Sequence, residues 1–346
     1  MEVQKHIMAR IASVQTEPIY YDTRDRALNP YSPDFDAAQV IERVRRPNVE
    51  KQCERLRQAG ENRADLVVLT EGSEVMGNWC QASDRPEARK QVVCEIPGET
   101  TEAYGAIARQ YSMHVVAGLH ERVGDTYYNA AVLIGRDGQI IGKYHKVHLT
   151  QAERAGITCG SDYPVFDTDI GRVGILICYD WIYPESLASL ACNGPDLVCF
   201  PTHGYGWTED LGEVTAKCRA ADHSVNVAMA MTPSKFGPGR SCIVNRAGQI
   251  VADAGYHRDC IIYADLDLRL QRYDKFFVDE SISDLGGRLF VDRRPETYKI
   301  LTMEQPPALE KHMAQEHVRR RHEPEQRLAR AHAGWAYDAE NDRIME

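Results

Sequence analysis

The feature that most constrains this chain is a repeated exchange between two hydrophobic periods. From Ile11 to about Leu268, short runs of branched apolar residues alternate with stretches of helical spacing. Asp65-Leu-Val-Val-Leu-Thr70 and Val173-Gly-Ile-Leu-Ile-Cys178 are the clearest runs. Strands of this kind are covered by helices, so the pattern predicts an α/β protein. Helices are expected over Ala37 to Ala59, with Pro47 dividing the stretch or starting its second half, and over about Thr100 to Tyr111, Pro184 to Asn193 and Gly212 to Ser224. Further strands are expected near His114 to Leu119, Asp196 to Pro201 and Val225 to Met231, with a last one ending at Asp267. Arg136-Asp137-Gly138 and Ala247-Gly248 mark hairpins, since Asp-Gly accepts the positive φ of a tight turn. The two halves repeat the order helix, strand, hairpin. That repetition predicts two sheets packed face to face with helices outside, a four-layer αββα sandwich filling one domain over 1–303. Residues 304–346 turn polar and charged and read as a helix-prone tail that packs on a partner subunit or frays.

Charge narrows the range of partners. A net charge of −10 leaves no basic stripe for a nucleic acid, and Arg319 to His322 is followed at once by Glu323 and Glu325, as on a solvated helix face. No run approaches the roughly 20 apolar residues that span a bilayer. Met1 to Arg10 carries charges where a secretory leader needs an apolar run, so a cytoplasmic protein without membrane or nucleic-acid partners is expected. Ten cysteines are scattered without a Cys-x-x-Cys pair, which is neither a zinc nor a disulfide framework. A functional cysteine must therefore be singled out by its neighbours.

Cys178 is the one so marked. It ends an apolar strand directly before Tyr179-Asp180-Trp181 and the Pro184 helix, and a strand-to-helix turn offers access together with backbone donors for a thiolate or an oxyanion. Glu71, at the end of its own strand, is a base for such a thiol, although carboxylates at strand ends are commonly solvated loop residues. Lys146 closes the second hairpin strand, where it favours a nearby anion; Lys143 beside it reads equally well as surface charge. Glu153 follows seven residues later, either holding that lysine, relaying protons, or serving only as an acid at a helix start.

In this order and spacing, Glu71, Tyr144-His-Lys146-Val-His-Leu with Glu153, and Gly174-Ile-Leu-Ile-Cys178-Tyr-Asp with Tyr183-Pro-Glu185 resemble the nitrilase superfamily of carbon–nitrogen hydrolases. Tyr128-Asn129, Phe200-Pro201-Thr202, Cys218-Arg219-Ala220 and the stretch Arg293 to Tyr298 support the match, which covers about residues 7 to 300. The resemblance implies the αββα fold, a homodimer or higher homo-oligomer, and neither a metal nor an organic cofactor. It implies Cys178 as nucleophile, Glu71 as general base, Lys146 as oxyanion stabiliser and Glu153 as second glutamate, with the backbone N–H of Tyr179 completing the oxyanion hole. This chain departs from the family where Thr70 replaces the usual proline before the glutamate, in Gly72-Ser-Glu-Val after it, and at Ala221-Asp222-His223.

Cys178-Tyr-Asp is similar to the amidase and carbamoyl-hydrolysing branches more than to true nitrilases, so a small amide or N-carbamoyl substrate is expected. A nitrile is the rival, suggested by Thr150 to Arg154 and by chain length. An inactive scaffold of the same fold and an acyl transferase are the other readings. Trp181, Tyr183, His203, Tyr205 and Trp207 stand where they could line the pocket, with Tyr179, Trp181 and His203 the chosen substrate-binding residues. No arginine follows the cysteine motif, which disfavours an acidic substrate unless Arg219 or Arg240 serves.

Overall fold

A computed structural model defines the fold and describes residues 6–204, 209–233, 239–269, 273–275, 282–304, 306–309, 337–338 and 343–344. The first half runs β1 (Met8–Gln15), α1 (Ala37–Val40), α2 (Arg46–Glu61), β2 (Leu66–Val68), α3 (Gly77–Gln81), α4 (Pro86–Val92), α5 (Glu99–Tyr111), β3 (His114–Val123), β4 (Thr126–Ile134) and β5 (Ile140–His145). The second runs β6 (Val165–Thr168), β7 (Gly171–Ile175), α6 (Pro184–Cys192), β8 (Leu197–Thr202), α7 (Glu209–His223), β9 (Asn226–Met231), β10 (Cys242–Val244), β11 (Ile250–Asp253) and β12 (Cys260–Asp267).

Two six-stranded sheets form, ordered β12-β1-β2-β3-β4-β5 and β11-β10-β9-β8-β7-β6. Each has a parallel centre, β1-β2-β3 in one and β7-β8-β9 in the other, with antiparallel hairpins outward. The period of two sorts the side chains. Ile11, Leu66, Val68 and Val116 meet Val173, Ile175, Leu197 and Cys199 between the sheets. Their neighbours Ala12, Val67, Leu69 and Val115 turn outward to Leu56 of α2 and to Tyr104 and Ile107 of α5. On the far side Leu190 of α6 lies over Gly174, where a Cβ would come within 2.9 Å of its methyls. The four-layer sandwich read from the repeated halves is the observed one.

Differences lie at local breaks. Residues 37–61 are helical throughout, with a π turn at Ile41–Arg45 that carries the chain into α2, and Pro47 follows that turn directly, in the first turn of α2. The short helices α3 and α4 carry too few turns for a periodic signal and were not anticipated. Tyr205, Trp207 and almost all of the expected tail lie outside the described residues. Among the described residues no helix is long and apolar enough to cross a membrane.

Candidate active site

The C-terminal ends of β2, β5, β7 and β8 converge between the two sheets, and each delivers one functional group there. Glu71 leaves β2 pressed against β3. A Cβ on Gly118 of β3 would lie 2.7 Å from Glu71 Cα and 2.8 Å from the Thr70 carbonyl oxygen, so a glycine is required for this approach. Lys146 follows β5, its backbone N–H bonded to the Asn129 carbonyl of β4 at 2.9 Å. Glu153 opens a 3₁₀ turn, and its Oε2 accepts the Thr150 N–H at 2.8 Å.

These three side chains form one buried cluster. Lys146 Nζ donates to Glu71 Oε1 at 2.9 Å and to Glu153 Oε1 and Oε2 at 2.9 and 3.0 Å. The ammonium is 1% exposed and both carboxylates are 8% exposed, so the contacts act in a low dielectric. Asn129 Nδ2 bridges the same carboxylates, at 2.8 Å to Glu71 and 2.7 Å to Glu153. The backbone N–H of His203, just past β8, donates to the other Glu71 oxygen at 2.9 Å.

Cys178 faces this cluster from the end of β7. Its φ of +44° is in the left-handed region, unfavourable for a side-chain-bearing residue by about 1–3 kcal/mol, and the surroundings must hold it there. Asp180 does so. Wholly buried, its carboxylate accepts the Ile177 N–H at 3.0 Å, the Tyr144 hydroxyl at 2.7 Å and the His148 N–H at 2.8 Å. The elbow is thus tied to the strand before it and to the loop that carries Lys146.

Electrostatics give the groups distinct protonation states. Burial alone would raise the pKa of Glu71, but the Lys146 charge, His203 and hydrogen bonds from Lys146 and Asn129 outweigh it and hold the carboxyl at about 2. Burial also works against charge on Lys146, yet Glu71, Cys178 and Glu153 keep it an ammonium. Burial, then the Glu71 charge, push the Cys178 thiol up to about 12, against the pull of Lys146 and a hydrogen bond with Thr202. The resting pair is therefore a neutral thiol beside an ionised carboxylate, a departure from the thiolate suggested by the strand-to-helix turn. One ammonium cannot neutralise two carboxylates and a thiolate together. Such a set is suited to moving a proton from sulfur to Glu71 only as a bond to sulfur forms.

The sequence model for carbon-nitrogen hydrolases matches residues 10–275. The chain belongs to the carbon-nitrogen hydrolase family. A nitrilase of Pyrococcus abyssi is 31% identical over 260 residues, spanning 72% of this chain and 92% of its own length. The omega-amidase of Homo sapiens is 30% identical over 250 residues, spanning 66% and 86%. In fold, a carbon-nitrogen hydrolase from Helicobacter pylori aligns with a TM-score of 0.65 at 21% identity, over 86% of this chain and 99% of that one. A mutant of a nitrilase-superfamily amidase from Nesterenkonia aligns with a TM-score of 0.63 at 20% identity, over 86% and 99%.

The structure divides the remaining expectations for this carbon-nitrogen hydrolase. Trp181 does not line an open pocket: it is 1% exposed and packs on Phe200 with ring centroids 4.5 Å apart, because the 3₁₀ turn after Cys178 aims it into the core. Tyr179 is half-buried and meets Tyr183 edge-on at 5.5 Å, while Tyr183 stacks on His148 at 4.1 Å. His203 reaches the cluster through its backbone; burial, then Lys146 and His120 among its neighbours, keep its ring pKa low despite Glu71. Arg240 is committed to Glu213, Asp253 and the Tyr256 hydroxyl, which leaves it no role as a substrate anchor. Lys143 belongs with His145 to the buried Glu121, away from the cluster. Asn129, Asp180 and Thr202 went unassigned. Asn129 and Asp180 stand inside the matched motifs, but nothing in their local pattern tells which distant groups they bond. Among the described residues no three His, Cys, Asp or Glu side chains are placed to hold a metal ion.

Proposed function

We propose that this chain hydrolyses a carbon–nitrogen bond of a small linear amide or N-carbamoyl compound through a thioester on Cys178. The observation that carries the reading is the Lys146 ammonium bonded to both Glu71 and Glu153, with Cys178 held at a strained elbow facing all three. As the sulfur attacks the carbonyl carbon, Glu71 takes the thiol proton. Negative charge on the carbonyl oxygen is met by Lys146 and the Tyr179 N–H. Glu71 gives the proton to the departing nitrogen, the C–N bond breaks, and ammonia or an amine leaves. Water then attacks the thioester, passing one proton to Glu71. The C–S bond breaks to release the acid, and that proton returns to sulfur. Glu153 anchors Lys146 and, through Asn129, keeps Glu71 in register.

The omega-amidase relative supports an amide; the nitrilase relative makes a nitrile the second reading. The family resemblance supports a homo-oligomer. The test is ammonia release from a panel of small amides, N-carbamoyl compounds and nitriles, with Cys178→Ala alongside. Release by the wild type alone supports hydrolysis, and the best panel member names the branch. Equal release by Cys178→Ala, or none from any compound, contradicts the proposal.

A further inference from the structure

The turn after Glu71 contains a second buried acid whose contacts the chemistry above does not use. Glu74 is 3% exposed, and its Oε1 accepts the backbone N–H of His120 at 2.5 Å and lies 3.2 Å from the ring Nδ1. These contacts continue a pattern. On β3 the Val116 carbonyl accepts the Leu69 N–H at 2.8 Å, and the Gly118 carbonyl accepts the Ser73 N–H at 2.8 Å. At the next step, where the β2 backbone has turned away, the His120 N–H meets the Glu74 carboxylate. A side chain thus supplies the acceptor that a longer strand would have offered.

The place is built for this contact. The His120 ring lies against Gly72, whose φ is +53° and where a Cβ would come within 3.0 Å of the ring. It also lies against Gly77, where a Cβ would come within 3.3 Å. Directly opposite His120, on β4, stands Asn129, so the two share the face of the sheet on which Asn129 bridges Glu71 and Glu153. Burial works against charge on the His120 ring, yet the Glu74 hydrogen bond and charge, with Glu71 and Glu153, raise its pKa, as expected of a buried ion pair.

We infer that Glu74 is a positioning residue for Glu71: by extending the β2–β3 ladder to His120, it fixes the turn that aims the Glu71 carboxylate at Cys178. The inference rests on Glu71 serving as the base. It requires reach rather than charge, and two conservative variants separate these. Glu74→Gln keeps the length and an acceptor oxygen without the charge. Glu74→Asp keeps the charge but is one methylene short of the His120 N–H.

The experiment measures iodoacetamide alkylation of Cys178 at neutral pH by peptide mass spectrometry, with the exposed Cys159 as internal reference and the buried Cys199 as a reporter of unfolding. Glu71→Gln is run beside both variants. Glu74→Asp should slow Cys178 about tenfold or more, and kcat should fall with it at unchanged KM, because displacing a reacting group by a fraction of an ångström is enough for that. Glu74→Gln should stay within about threefold of the wild type on the same argument. Slow Gln with fast Asp, or wild-type rates in both, would overturn the inference while leaving Glu71 as base. Should Glu74→Asp label Cys199, Glu74→Gln decides alone: a rate as low as that of Glu71→Gln overturns it. A wild-type rate in Glu71→Gln removes the base itself, and the inference with it.

Discussion

Replacing Lys146 by methionine gives a prediction whose size follows from the cluster. The substitution keeps most of the volume and removes a buried ammonium that holds two carboxylates with contacts of 2.9 to 3.0 Å. Glu71 and Glu153 then share one space with only the Asn129 amide between them, and the cheapest relief is for one of them to take a proton. Neutral pH lies about 2.7 units above the pKa of a free glutamate, so at 1.36 kcal/mol per unit that proton costs about 3.7 kcal/mol. The figure agrees with the ~3–5 kcal/mol typical of breaking a buried pair from one side. At pH 5 the same proton costs about 1 kcal/mol. The sign is the same from the wild-type side. There the Glu71 pKa is depressed to about 2, so its stabilisation is lost only as pH falls from the unfolded value near 4.3 towards 2, and between pH 7 and pH 5 the change comes from the variant's extra proton. The stability gap between wild type and Lys146→Met should therefore close on acidification from pH 7 to pH 5, as read by urea unfolding at both values. At pH 7, kcat for ammonia release should fall by at least about 10²-fold. A gap of equal size at both pH values, or none at pH 7, would show that the carboxylates do not share this ammonium.

Three further outcomes follow from the same geometry. Because Cys178 is half-buried and its thiol is pushed up to about 12, one equivalent of iodoacetamide should divide between it and the exposed Cys159, Cys192 and Cys218, with loss of activity tracking Cys178 alone; inactivation that follows another cysteine would displace it from the site. Asn129→Leu removes the amide bridge between Glu71 and Glu153 and should lower kcat about tenfold or more with KM little changed, since hydrogen bonds to charged groups contribute about 1.5–3 kcal/mol each; an unchanged kcat would make the bridge incidental. Asp180→Ala leaves the Ile177 N–H, His148 N–H and Tyr144 hydroxyl without their acceptor and should destabilise the fold by about 3 kcal/mol or more, with activity falling in the molecules that remain folded; wild-type stability would mean that the elbow does not need its clamp.

What the sequence disclosed depended on the range of the interaction. Strands such as Leu66–Val68 and the turn at Gly138 were legible because branched apolar runs and a φ of +80° are properties of adjacent residues. Glu71, Lys146, Glu153 and Cys178 were legible as motifs, and they do converge. Their supports were not. Asn129 lies 58 residues from Glu71, and Asp180 lies 36 from Tyr144, so no local period relates them. Trp181 shows the same limit: an aromatic after a strand suits a pocket wall or a core, and the direction of the 3₁₀ turn sets it against Phe200. The protonation of Cys178 was hidden too, since it depends on how many charges share one buried volume.

The most direct test of the central claim is intact-mass spectrometry of the enzyme quenched during turnover of the best panel amide, with peptide mapping of the adduct. The account predicts an acyl adduct on Cys178, with the mass of the substrate less its ammonia or amine, that is absent in Cys178→Ala and forms far more slowly in Glu71→Gln. Turnover at the wild-type rate in Cys178→Ala, or an adduct that maps to any other residue, would contradict it.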